Sequence, residues 1–252
     1  MTEALRRRLA EARLALMLLT RLPAGTLCDP VPPLSQARWA YPLIGLVVGP
    51  IGWAALHTAL ALGLGALPAA LLALGAMALV TGALHHDGLA DFADGIGGGR
   101  DRAHRLEIMR DSRIGSYGAL ALIFSVFVSA AALGEIGGQI SLAEVMLVAV
   151  ASRLAMLAVI DLLPPARTDG MGHGTASPSR SAWSPGVLVT AALVIAVGLP
   201  GLALIGAAAV ATLTVATIAR RRLGGQTGDV LGAVQIASET TGWLVLAAFA
   251  AG

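Results

Sequence analysis

Asp87, Asp91, Asp94, Glu107 and Asp111 fall in one short stretch between runs of alanine, leucine, valine and glycine. His85 precedes them, and Arg100, Arg102, Arg105, Arg110 and Arg113 are interleaved with them. On a helix Asp87, Asp91 and Asp94 stand at i, i+4 and i+7 and share one face. Like charges on one stripe repel unless a cation intervenes. Hard oxygen donors at this density suit Mg²⁺, Mn²⁺ or Ca²⁺, whereas zinc usually recruits cysteine or histidine. A second helix over 101–113 would make Glu107 and Asp111 i, i+4 neighbours, so two facing helices would offer four or five carboxylates to one or two metal ions. Gly95, Gly97, Gly98 and Gly99 between them permit positive φ and close approach of backbone N–H groups to an anion. Acids alone would suggest a cation site; acids interleaved with arginines and glycines suggest a metal-bound phosphate. The chemistry is then phosphoryl transfer, in which divalent metal neutralises a pyrophosphate and stabilises the attacking and leaving oxygens. The bland alternative is a solvated charged loop capping two helices, whose Arg–Asp pairs are individually weak.

The elements that position this stretch are membrane helices. Hydrophobic residues make up 56% of the chain and charged residues 13%, with a mean hydropathy of +0.79, values that exclude an ordinary soluble domain. Apolar runs of about 20 residues, enough to cross roughly 30 Å of hydrocarbon, recur without the alternation of a barrel strand. The expected architecture is all-α: a polytopic transmembrane helix bundle of about seven spans, forming one integral membrane catalytic domain over 1–252. The spans are expected near 41–64, 69–85, 117–133, 142–163, 187–199, 202–219 and 231–250. Residues 1–22 read as an amphipathic interfacial helix, with Leu5, Leu9, Ala12, Leu16 and Leu19 on one face, rather than as a cleaved signal peptide. Gly45 and Gly49 form a small-xxx-small pair suited to close helix packing.

Every basic residue is arginine, and the net charge is +2. With the N-terminus inside, seven spans put every arginine on the inner side except Arg153, which falls within a span. The arginines therefore read as a topology signal in a bilayer protein and not as a nucleic-acid footprint. This places the acidic segment, 85–115, on the inner side of the membrane, the same side as the N-terminus. Arg153 and Glu239 are intramembrane charges, so Arg153 is read either as the partner of Glu239 or as a phosphate contact. Arg167 and Asp229 lie in later inner loops, Asp229 being either a member of the acidic centre or a helix N-cap. His173, among glycines, is a candidate lid residue against the commoner solvated loop histidine. Cys28 reads as a small loop residue. A metal or ion transporter is the competing class, but transport usually places its groups at the midplane, whereas these acids cluster on one side.

The spacing Asp91-x-x-Asp94-Gly95, then Arg100, then Glu107-x-x-x-Asp111, resembles the metal signature of CDP-alcohol phosphotransferases. It departs from that pattern in having glutamate as the first later acid and an arginine one residue further from the glycine. The longer string, His85-x-Asp87-Gly88-Leu89-Ala90-Asp91-x-x-Asp94-Gly95 followed by Arg105-Leu106-Glu107-Ile108-Met109-Arg110-Asp111-Ser112-Arg113-Ile114-Gly115, resembles the cobalamin synthase family, the adenosylcobinamide-GDP ribazoletransferases. Leu19–Pro23, Tyr41–Gly45 and Gly224–Asp229 extend the resemblance over nearly the whole chain. The resemblance implies a Mg²⁺-dependent transferase of late vitamin B12 assembly, joining adenosylcobinamide-GDP to α-ribazole or its 5′-phosphate with release of GMP. It implies metal at Asp87, Asp91, Asp94, Glu107 and Asp111, with Asp111 as the acceptor of the 3′-hydroxyl proton and Glu107 and His85 in support. Arg100, Arg105, Arg110, Ser112, Arg113, Arg153, Arg167 and Asp229 would contact substrate, and a homo-oligomer is compatible with it. A CDP-alcohol phosphotransferase of phospholipid synthesis is the second enzymatic reading.

Overall fold

The computed structural model describes residues 2–27, 29–169, 174–175 and 182–251, so Cys28 and His173 lie outside the described residues. Among the described residues the architecture is helical, with one isolated bridge between Pro165 and Gln226. The helices are α1 (Glu3–Leu19), α2 (Leu34–Ala37), α3 (Gly45–Ala61), α4 (Ala66–Thr81), α5 (Leu84–Gly98) and α6 (Arg102–Ile108). They continue with α7 (Ser116–Ile136), α8 (Leu142–Leu162), α9 (Ser184–Val197), α10 (Leu199–Leu223) and α11 (Gly228–Ala250).

Among the described residues five helices are individually long and apolar enough to cross a bilayer, namely those within Pro42–Ala61, Ser116–Gln139, Leu142–Leu162, Leu199–Leu223 and Gly228–Ala250. The expected second span differs from its sequence reading. It breaks after Thr81, and α4 and α5 meet at 92°. Gly82 and Ala83 both adopt left-handed backbone (φ 63° and 55°), and their N–H groups close onto Leu79 and Ala78 as a helix C-cap. Gly82 does this without a Cβ penalty, while Ala83 is a strained position for an L-residue. The acidic helix is therefore not a straight extension of a span. It turns off the α4 axis to pack on α7 and α11. The expected fifth span is the 14-residue α9, at about 1.5 Å per residue too short to cross alone. The Pro165–Gln226 bridge sets the chain after α8 beside the chain before α11, so α9 and α10 leave and return to one end of the bundle.

α8 and α11 form the centre and bury most of their length. Gly45 and Gly49 lie against the α8 backbone at Val150 and Met146, as the small-xxx-small pattern predicts. α1 is docked through Glu11, Ala15 and Leu19, leaving Leu5 and Leu9 of the predicted apolar face about half exposed. Glu11 accepts from Trp39 Nε1 (2.8 Å) and Arg8 Nη1 (2.8 Å), which is how a buried acid is accommodated there.

Candidate active site

The acids of α5 keep the predicted register. Asp87 is exposed, Asp91 half-buried and Asp94 buried. What brings a fourth acid to them is a helix crossing without side chains. A Cβ on Gly88 would lie 3.1 Å from Asp229 Cα and 3.2 Å from Gly232 Cα, and one on Gly232 would lie 2.9 Å from the His85 carbonyl oxygen. α5 and α11 thus touch backbone to backbone, and Asp229 in the first turn of α11 joins the acidic group. The charges acting on Asp91 are those of Asp229, Asp87 and Asp94, opposed by Arg167. Asp229 is not the helix cap: Thr227 is, accepting from Val230 N (3.3 Å) while its hydroxyl donates to Asp229 (3.2 Å).

Asp94 has a second engagement. Its carboxylate accepts from Gly115 N (2.7 Å) and Gly118 N (2.8 Å), capping the first turn of α7 from across the helix interface. Gly118 is required there because a Cβ would collide with the carboxylate.

The second pair is arranged differently from its sequence reading. α6 ends at Ile108, so Glu107 is exposed on a short helix and Asp111 lies in the following turn. The two are not helical neighbours. Arg113 turns back to bond both Asp111 oxygens, the shortest contact being 2.6 Å. These hydrogen bonds hold the Asp111 carboxyl down at about 2. The Arg113 side chain is 87% exposed. Asp101 is the N-cap of α6, accepting from His104 N.

The glycines also serve another purpose than the one expected. Gly95, Gly97 and Gly98 are helical within α5, and none of these, nor Gly99, has positive φ. They admit neighbours instead: a Cβ on Gly95 would strike Met109, one on Gly97 the Tyr117 ring, and one on Gly99 the Arg105 side chain. The phosphate nest inferred from them is absent.

The arginines divide by partner. Arg105 is buried and donates to the Arg100 carbonyl (3.3 Å). Arg102 donates to Leu223 O (2.7 Å) and Ala166 O (3.1 Å), tying α6 to the end of α10 and to the loop after α8. Arg167 donates to Leu106 O (3.0 Å) and stands 3.7 Å from Asp229, so one guanidinium joins the end of α6 to the acidic group. Arg110 holds Asp169 through both oxygens at 2.8 Å. Arg100 and Ser112 are exposed, with no side-chain hydrogen bond or ion pair among the described residues. Arg153 is 1% exposed in α8, donates to Ala149 O, and acts electrostatically on His85. It makes no ion pair with Glu239 within 4 Å among the described residues. Gln235 joins the two helices instead, donating to Ser152 Oγ (3.1 Å) and Glu239 Oε2 (2.6 Å).

Asp229, Asp87 and Asp94 bear electrostatically on Asp91 with Arg167 opposing them, and carboxylates are the donor type that a hard divalent cation takes. Among the described residues no group of three or more His, Cys, Asp or Glu side chains is arranged to hold a metal ion.

The profile of a family described as cobalamin-5-phosphate synthase matches residues 11–247. The chain belongs to that family. It is 44% identical over all of its length, and 98% of the relative's, to an adenosylcobinamide-GDP ribazoletransferase of Bradyrhizobium diazoefficiens. It is 45% identical to a protein of the same description from Azorhizobium caulinodans over 90% of this chain and 91% of that one, and 47% identical to one from Xanthobacter autotrophicus over 85% and 86%. No solved structure matches. In this cobalamin-5-phosphate synthase family member, Arg102, Gln235 and Thr227 are structural participants that spacing alone did not single out. Arg102 was visible only as one of several charges, and Gln235 has no motif around it.

Proposed function

We propose that this chain transfers the phospho-cobinamide group of adenosylcobinamide-GDP to the 3′-hydroxyl of α-ribazole or its 5′-phosphate, giving adenosylcobalamin or its phosphate and GMP. The observation that carries the reading is full-length similarity to ribazoletransferases combined with the acidic group on α5 and α11. In the reaction a bond forms between the 3′-oxygen and the cobinamide-side phosphorus. The bond from that phosphorus to the bridging oxygen breaks, and GMP leaves with the bridging oxygen.

Asp87, Asp91, Asp94 and Asp229 would hold Mg²⁺, which supplies charge neutralisation of the pyrophosphate when bound. Glu107 and Asp111 join from the α6 side. Arg100, Arg110 and Arg113 have exposed guanidinium surface to offer phosphate. Asp111, engaged by Arg113, is a weak base at rest. Transfer of the Arg113 guanidinium to substrate phosphate removes that hold, so that Asp111 accepts the 3′-hydroxyl proton only with substrate in place. The arginine distribution supports an acidic centre on the cytoplasmic face of the inner membrane.

The test is an assay of the purified protein with adenosylcobinamide-GDP, α-ribazole and Mg²⁺, following GMP and cobalamin together. Both should appear in equal amounts and both should stop with EDTA. CMP release from a CDP-linked donor, with no GMP from the cobinamide donor, would replace this reading with a phospholipid synthase.

A further inference from the structure

Beside the acidic group lies a cavity bounded by the end of α1, Tyr41, the first turns of α5 and α11, and α8. It contains about 550 Å³ of void counted out to its open mouth, of which about 70 Å³ admits the centre of a water molecule. Leu19, Met156 and Leu231 give it apolar walls, while Asp87 and Asp229 line it from the acidic group. Three polar residues also line it, Tyr41 (1% exposed), His85 (3% exposed) and Thr175 (2% exposed). Tyr41 Oη and His85 Nε2 are both buried without a hydrogen-bond partner among the described residues.

Buried hydroxyl and imidazole groups rarely go unpaired, since each costs about 1–3 kcal/mol when left so. Two such groups on residues that line one largely apolar cavity, with carboxylates on its rim, fit a flat ring system that carries a hydrogen-bonding nitrogen and is joined to a hydroxylated sugar. A corrinoid is far too large for it. We infer that this cavity holds the heterocyclic base of the acceptor nucleoside, the Tyr41 hydroxyl donating to the unsubstituted ring nitrogen. The ribose then falls toward Asp87 and Asp229, where its hydroxyl meets the acidic group. The inference rests on α-ribazole being the acceptor, as proposed above, and adds Tyr41 as a specificity-determining residue.

The test uses the full chain in detergent with benzimidazole riboside and with its indole counterpart, which lacks the ring nitrogen. Wild-type protein should favour the benzimidazole riboside about 5–30-fold in kcat/KM, the worth of one buried hydrogen bond. Tyr41→Phe should raise the KM for α-ribazole by a similar factor, leave that for adenosylcobinamide-GDP within about twofold, and bring the discrimination between the two ribosides close to one. Undiminished discrimination in Tyr41→Phe, or an equal rise in both KM values, overturns the assignment. Equilibrium dialysis of α-ribazole separates the two readings. Tyr41-dependent binding by a protein that releases no GMP would leave the cavity assigned and refute the transferase reading. Normal turnover with Tyr41-independent binding would do the reverse.

Discussion

Replacing Asp94 with asparagine separates its two roles. In the folded protein the carboxylate accepts from Gly115 N at 2.7 Å and Gly118 N at 2.8 Å while 7% exposed. An asparagine keeps one acceptor oxygen, so one of those N–H groups faces an NH₂ instead. The loss is one charge-assisted bond with a buried donor left unpaired, about 3–4 kcal/mol. Against it stands relief of repulsion at Asp91, on the order of 1 kcal/mol at an effective dielectric between those of protein and water. The net expectation is a destabilisation of about 2–3 kcal/mol, which for a chain of this size lowers Tm by roughly 5–10 °C. Thermal unfolding of the purified Asp94→Asn protein in EDTA measures it, with wild type alongside. A variant melting at or above wild type would show that repulsion outweighs the cap, leaving Asp94 with no structural role. If Asp94 also holds metal, saturating Mg²⁺ should widen the gap, because only wild type gains the full binding free energy. GMP release should be abolished in either case, with membrane insertion retained.

Two further outcomes test the scaffold. Gly88→Ala places a methyl 3.1 Å from Asp229 Cα and 3.2 Å from Gly232 Cα, so α5 and α11 must separate; kcat for GMP release should fall roughly 10–100-fold with a stability loss of about 1–3 kcal/mol, and unchanged kcat would disprove the need for this close crossing. Arg102→Ala removes the bonds to Leu223 O and Ala166 O and should cost about 2 kcal/mol, visible as a lower Tm; an unaltered Tm would show that α6 is held by other contacts.

The spacing of Asp87, Asp91 and Asp94 revealed their shared helical face because a three-to-four-residue period needs nothing but the helix itself. The apolar runs likewise revealed most spans. The 92° break was less legible: Gly82 is an ordinary signal for a helix end, but Ala83 in left-handed backbone has none, and only packing of α5 on α7 and α11 sustains it. Asp111 was misplaced for a related reason. Helical spacing put it one turn after Glu107, yet in the structure Arg113, two residues on, captures it in a turn. Gly95, Gly97 and Gly99 were read for backbone freedom, whereas they are small because Met109, Tyr117 and Arg105 need the room. A glycine's reason depends on what approaches it, which one sequence does not state.

The arginines sharpen what the acidic centre requires. Their number first suggested a broad phosphate-binding surface, but Arg102, Arg105 and Arg167 donate to backbone carbonyls of Leu223, Ala166, Arg100 and Leu106. They substitute for missing helix continuity at a place where short α6 must be fixed between α5 and the ends of α8 and α10. A lysine could not span two carbonyls with a planar fork as Arg102 does. The proposed phosphate contacts thereby fall to Arg100, Arg110 and Arg113, the last two paired with Asp169 and Asp111 in the structure. Since Arg113 is also the group holding Asp111, the proposed mechanism would make substrate phosphate and the Asp111 proton site compete for one guanidinium. Such competition would tie the readiness of the proposed base to arrival of the donor, Asp111 being held by Arg113 in the structure and freed once phosphate takes the guanidinium.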